Sequence, residues 1–258
     1  MIAKTSEEIV TIWECGKRLA KIVAELTAVL RPGMATMELD QLAERLIREA
    51  DGLPVFKGYR SHRSEPSFPA SLCVSINDEV VHGIPRRDRT LSEGDIVGLD
   101  IGMRWPAQNG LITDMAVTVP VGAVAPLATR LLDVTRSALE RGMSILKPGI
   151  RLGDLGHAIQ ETIESGGFSV VRDLVGHGVG RRLHEQPYVP NYGLPGEGEA
   201  VREGMVLAIE PMATVGSSLV GLADDGWTWR TRDGSLAAHF EHTVLVTKDG
   251  AEVLTKVW

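Results

Sequence analysis

Cysteine is scarce in this chain. The two present, Cys15 and Cys73, offer neither a metal-ligand spacing nor a disulfide framework, so a reducing compartment is expected. Long apolar runs are missing as well. No stretch is long enough to span a bilayer, and no basic segment followed by an apolar one opens the sequence. A soluble, cytoplasmic protein without membrane contact is the expectation. Positive charge is also in deficit: 27 Lys and Arg stand against 34 Asp and Glu, a formal net charge of −7. Nucleic-acid binders carry the opposite balance, so no nucleic-acid partner is expected. The pairs Arg86-Arg87 and Arg181-Arg182 read as solvated faces.

What the chain does have is ordinary globular composition, with 43% apolar and 24% charged residues over 258 positions, enough for one large domain spanning 1–258. Two of its strands are unusual. Val97, Leu99 and Ile101 alternate with Gly98, Asp100 and Gly102, and Leu111 to Val119 forms a second apolar strand around Asp114. Each plants an acid where an apolar residue is expected. A buried carboxylate stays charged only when it is paired or holds a metal. His177, Glu210 and Glu241 occur later, each again in apolar or glycine-rich sequence.

Helical spacing is clear at the start. Thr5 and Glu8 form a capping box ahead of Ile9, Ile12, Trp13, Leu19, Val23, Leu26 and Leu30, and Pro32-Gly33 ends that helix. A second helix runs from near Thr36 to Gly52. Residues 53–70 read as irregular loop, Ser71 to Asn77 as a strand, and His82 to Pro85 as a turn. Two more helices follow, one from Pro126 to Leu146 and one through Leu152, Leu155, Ile159 and Ile163.

The second half repeats the first. Arg31-Pro32-Gly33-Met34 matches Lys147-Pro148-Gly149-Ile150, and Glu93-Gly94-Asp95-Ile96-Val97 with Asp100 matches Glu203-Gly204-Met205-Val206-Leu207 with Glu210. Two units, roughly 1–125 and 126–258, each run helix, Pro-Gly turn, helix, then an acid-bearing strand. That pattern predicts an α+β fold with pseudo-two-fold duplicated units. Helices cover one face of a curved antiparallel sheet, and the acids gather on the other. Four converging carboxylates repel one another unless cations neutralise them, and two divalent ions carry the required charge. Oxygen-rich ligation with one imidazole suits Co, Mn, Fe or Zn. His82 and His184, in turns beside the predicted cleft, fit substrate-binding and oxyanion roles. Gly176-His177-Gly178-Val179-Gly180 lacks the spacing of a dinucleotide loop, and His184-Glu185 is not the start of an HExxH motif.

Five ordered motifs resemble the type I methionine aminopeptidases. They are Ser75-Ile76-Asn77-Asp78-Glu79-Val80-Val81-His82-Gly83-Ile84-Pro85, Gly176 to Gly180, His184-Glu185-Gln186-Pro187, Ile209-Glu210-Pro211-Met212 and Phe240-Glu241-His242-Thr243. The resemblance implies the pita-bread fold and excision of N-terminal methionine ahead of a small second residue. It implies that Asp100 holds one metal, His177 and Glu210 the other, and that Asp114 and Glu241 bridge both. Glu210 would take the proton of the attacking water, His82 would contact the scissile nitrogen, and His184 the developing oxyanion. Tyr59, Phe68, Cys73 and Trp227 would line the methionine pocket, a sulfur-friendly surface. Nascent N-termini and short peptides are the implied substrates, met by a monomer in transient contact with the ribosome. Three features depart from the family pattern: a longer interval at 103–110, an extended loop at 57–70, and His239, two residues before Glu241 on the same expected strand face, where the family usually has glutamine. Prolidase-like peptidases share the implied fold, as do binding proteins that have lost metal ligands. The former typically carry a separate N-terminal domain, and here all five ligand positions are filled.

Overall fold

A computed structural model of the chain describes residues 1–60 and 66–256. Residues 61–65, the middle of the extended 57–70 loop, lie outside the described residues. Two helices lead, α1 (Ser6–Ala28) and α2 (Thr36–Glu49), followed by β1 (Leu53–Pro54), β2 (Cys73–Ile76), β3 (Glu79–Val81), β4 (Ile96–Trp105) and β5 (Leu111–Pro120). The second half opens with α3 (Pro126–Ile145) and α4 (Leu152–Ser165), then β6 (Ser169–Val170), β7 (Gly176–Gly178) and β8 (Glu185–Val189). It closes with β9 (Val206–Ile209), β10 (Met212–Thr214), β11 (Val220–Leu222), β12 (Trp229–Thr231), β13 (Ala237–His239), β14 (Glu241–Val246) and β15 (Ala251–Val253).

Nine of these strands form one antiparallel sheet in the order β1-β4-β5-β14-β9-β7-β8, with β2 also on β4 and β15 also on β14. From its centre outward the sheet reads symmetrically. β5 and β14 adjoin, β4 and β9 flank them, and β2 and β7 come next. The two halves of the sequence therefore meet at β5–β14. Two small sheets, β13-β10-β6 and β11-β12-β3, complete the strands.

The helices sit where their apolar faces dictate. Thr5 caps α1, with its side chain accepting the Glu8 N–H while the Glu8 carboxylate accepts from Thr5. Ile12, Leu19, Val23 and Leu26 then recur on one buried face, packed on β4 and β5. Gly16 permits that approach, since a Cβ there would stand 2.4 Å from the Leu254 carbonyl oxygen. α3 packs on β5, β9, β13 and β14 and pairs with α4. Asp40 on α2 accepts the Ser71 and Leu72 N–H groups at 2.7 and 3.1 Å, which pins the approach to β2.

Two expectations need adjusting. The stretch at 53–70 contains a short strand, because Leu53 and Pro54 add to the β4 edge opposite Arg104 and Met103. His239 and Glu241 do not share a strand: the chain changes sheets at Phe240, between β13 and β14.

Candidate metal centre

The β4–β5 hairpin sets the first two acids. Its longer turn leaves the register intact, with Trp105 opposite Leu111, so that Asp114 falls opposite Gly102 and Asp100 opposite Ala116. Across the next strand Ala116 also faces Glu241, and Asp100 and Glu241 therefore occupy matching positions on either side of β5. His177 pairs with Ala208 on β9, two residues before Glu210, so period-two alternation sends both side chains to the same face. Asn191 holds Glu210 from behind, its Nδ2 donating to the Glu210 carbonyl at 3.0 Å.

All five side chains line one cleft. Ligand atoms of Asp114, His177 and Glu241 lie within 4.8 Å of one another. Glu210 Oε1 is 3.5 Å from His177 Nε2, and its Oε2 is 3.6 Å from His239 Nε2. His177 Nδ1 donates to the Gly178 carbonyl at 3.0 Å, which fixes the tautomer and leaves Nε2 with a bare lone pair. Glycines on both sides permit this placement: a Cβ on Gly176 or Gly178 would stand 2.4 Å from the carbonyl oxygens of Ala208 or Gln186.

Burial and mutual repulsion push the carboxyls upward. Desolvation is the main cause throughout, raising Asp100, Glu210 and Glu241 well above the usual carboxylate range and Asp114 to about 7. The negative charge of neighbouring acids adds to the shift at Asp100, Glu210 and Glu241. Asp100 Oδ1, Asp114 Oδ1 and Glu241 Oε1 are buried without a hydrogen-bond partner among the described residues. Orphaned carboxylate oxygens are expensive, and several aimed into one cleft fit divalent cations.

Two further histidines frame the cleft. His82 follows β3 with φ +59°, a left-handed conformation uncommon for a residue with a side chain. Gly83 makes the bend possible, because a Cβ there would stand 2.2 Å from the Val74 carbonyl oxygen. The His82 ring meets Trp227 edge-on at 6.2 Å. His184 packs perpendicular to His177 at 4.4 Å, and its Nδ1 lies 2.5 Å from the Tyr59 hydroxyl. A phenol that donates to this nitrogen leaves the imidazole proton on Nε2. Desolvation lowers His82 and His184 to about 4 and His177 and His239 to about 3, so all four are neutral near pH 7.

The cleft wall is apolar and encloses about 170 Å³. Tyr59, Phe68, Cys73 and Trp227 all line it, with Phe68 edge-on to Trp227 at 5.3 Å and to Phe56 at 6.4 Å. Sequence reasoning missed Phe56, Leu183 and Met212 in the wall and Asn191 behind Glu210. Met212 had a signal in its place two residues after Glu210. Phe56 and Asn191, set in loops, had none.

Buried carboxylates and an imidazole gathered in one cleft are the ligand chemistry of metal-dependent hydrolases, and the chain belongs to metallopeptidase family M24, whose sequence profile matches residues 11–248. Within that family it is similar from end to end to methionine aminopeptidases. It is 46% identical to methionine aminopeptidase 1 of Bacillus subtilis over 257 residues, covering 100% of both chains. Against the methionine aminopeptidase of Clostridium acetobutylicum it is 45% identical, covering 99% of this chain and 98% of the other. Among solved structures, the methionine aminopeptidase of Thermotoga maritima superposes with TM-score 0.93 at 47% identity, covering 99% of this chain and 100% of that one. The prolidase of Pyrococcus furiosus shares the fold at TM-score 0.76 and 23% identity, with 65% of its length covered. The fold is the pita-bread fold.

Proposed function

We propose that this chain is a methionyl aminopeptidase that removes the N-terminal methionine from nascent proteins and peptides when the second residue is small. The observation that carries the reading is the meeting of five candidate ligands with an apolar, sulfur-friendly wall in one cleft. Asp100 would hold one ion, His177 and Glu210 the second, and Asp114 and Glu241 both. Bound divalent ions supply a water acidified at neutral pH and a polarised scissile carbonyl.

The protein's own groups do the rest. Phe56, Phe68, Cys73 and Trp227 take the thioether side chain and exclude water around it. Glu210, ionised when divalent cations offset its burial, would accept a proton from the attacking water and return it to the leaving nitrogen. His82 lies against the scissile nitrogen. Neutral His184 donates from Nε2 to the carbonyl oxygen as negative charge builds there, while Tyr59 fixes its tautomer. The cytoplasm, where new N-termini emerge, is the proposed compartment, and a monomer the proposed form.

Hydrolysis of Met-Ala-Ser and Ala-Pro-Ser at equal, defined Mn(II) loading tests the reading. Met-Ala-Ser is cleaved, Met-Leu-Ser hardly at all, and Ala-Pro-Ser far more slowly than Met-Ala-Ser. Preference for the proline peptide would leave the family intact and overturn the substrate.

A further inference from the structure

β5 and β14 share a ladder of only two paired positions, Glu241 opposite Ala116 and His242 opposite Met115. Past one end a threonine hydroxyl stands between β5 and β14, and past the other a second stands between β5 and the end of β13. Thr243 Oγ1 donates to the Asp114 carbonyl at 2.7 Å and accepts the Asp114 N–H at 2.9 Å. Thr118 Oγ1 treats His239 the same way, donating to its carbonyl at 2.8 Å and accepting its N–H at 2.9 Å. Both threonines are buried. A hydroxyl has one proton to give and lone pairs to accept, so each can satisfy both main-chain groups of the residue it faces. At Asp114 and His239 the hydroxyl thus takes the place of a direct main-chain pairing, and the β5–β14 ladder does not extend to either position.

The two residues served this way are not arbitrary. Asp114 contributes its carboxylate to the cluster with His177 and Glu241, and His239 points Nε2 at Glu210. Neither threonine lines the cleft.

We infer that Thr243 and Thr118 are positioning residues of the metal centre: the Thr243 hydroxyl spaces β5 from β14 at Asp114, the Thr118 hydroxyl spaces β5 from β13 at His239, and together they set where the carboxylates face a cation. The inference rests on the ligand assignment proposed above. It assigns work to buried hydroxyls that a strand-pairing account would treat as filler. Removing one should let the seam close or leave the Asp114 main chain unsatisfied, and in either case the carboxylate moves.

The test is calorimetric titration of the chelator-stripped full-length chain with Mn(II) alone. Thr243→Val, which keeps the shape and deletes the hydroxyl, weakens Mn(II) binding about 10- to 100-fold, the range typical of groups that orient ligands. Thr243→Ser restores binding close to wild type. Thr118→Val, acting through His239 and Glu210, shifts affinity in the same direction and serves as the reading if Thr243→Val does not fold. Thr135→Val deletes an equally buried hydroxyl in α3, one that donates to the Leu131 carbonyl at 2.7 Å, and leaves affinity unchanged. At saturating Mn(II), Thr243→Val lowers kcat on Met-Ala-Ser with KM little altered. Wild-type affinity in the folded valine variants, or an equal loss in Thr135→Val, overturns the inference alone. A wild-type chain that takes up no Mn(II) overturns the ligand assignment and this inference with it.

Discussion

Stripping divalent ions with a chelator leaves four buried carboxyls with nothing to neutralise them. Burial raises Asp114 to about 7 and Asp100, Glu210 and Glu241 well above their usual values. Such a group holds more protons folded than unfolded. Its contribution to stability therefore falls as pH rises from the unfolded pKa, near 4, through the folded one. Five desolvated histidines work in the opposite sense. His82, His177, His184, His239 and His242 are lowered to between about 3 and 4, so they weaken the fold as pH drops below about 6.5. The two sets oppose each other between about pH 4 and 6.5. Above that the histidines are neutral in both states, and the carboxyls dominate against the buried Met1 amine, whose pKa desolvation lowers, so that it favours the fold as pH rises toward 8.

One group titrating differently in the two states changes stability by about 1.4 kcal/mol per pH unit. From pH 6.5 to 7.5 the chelated protein should lose about 1 kcal/mol if one carboxyl titrates, and about 5 kcal/mol if all four do. For a chain of this size each kcal/mol shifts Tm by about 2–4 °C. Scanning fluorimetry in chelator and in Mn(II), across pH 6 to 8.5, reads the effect. The chelated Tm falls by at least about 2 °C over that unit of pH. The Mn(II)-loaded Tm does not, because the ion competes with protons for the same oxygens and gains as they leave. A chelated Tm that is flat or rises over the same interval refutes the account of a strained, cation-seeking centre.

Three substitutions extend the test. Glu210→Gln keeps a ligand oxygen and deletes the base, so kcat on Met-Ala-Ser should fall about 10²- to 10⁴-fold with Mn(II) still bound, measured by metal analysis alongside kinetics. His184→Ala should lower kcat by about 10²- to 10³-fold and leave metal stoichiometry unchanged; loss of metal would reassign His184 as a ligand. Asp40→Ala strands two buried N–H groups, those of Ser71 and Leu72, and should lower unfolding free energy in urea by about 2–3 kcal/mol without altering metal uptake.

The centre was legible because its chemistry violates the local pattern. An acid between Leu99 and Ile101, or at the start of the β14 run, has no place in an apolar strand unless something binds it. The four helices were legible from spacing and caps, with Thr5–Glu8 and the Pro-Gly turns marking their ends. Pairing was harder. Nothing in Leu53-Pro54 announces that it will edge β4, and nothing near Phe240 announces that the chain leaves one sheet for another. Both are decided by distant partners. Asn191 and Phe56 were invisible for the same reason: an amide behind Glu210 or a ring against Phe68 is defined by what the fold brings near it.

The sheet order carries a consequence for safety inside a cell. β4 and β5 bring Asp100 and Asp114, while His177, Glu210 and Glu241 come from the other half of the sequence, across a seam whose hydrogen-bonded partners stand 129 positions apart. Contacts between such distant segments form late, after the loops between them have closed. A half-made copy therefore owns two or three of the five candidate ligands, never the set. Peptide-bond cleavage becomes a property of the finished sheet, so partly folded copies of this peptidase are inert toward the proteins around them.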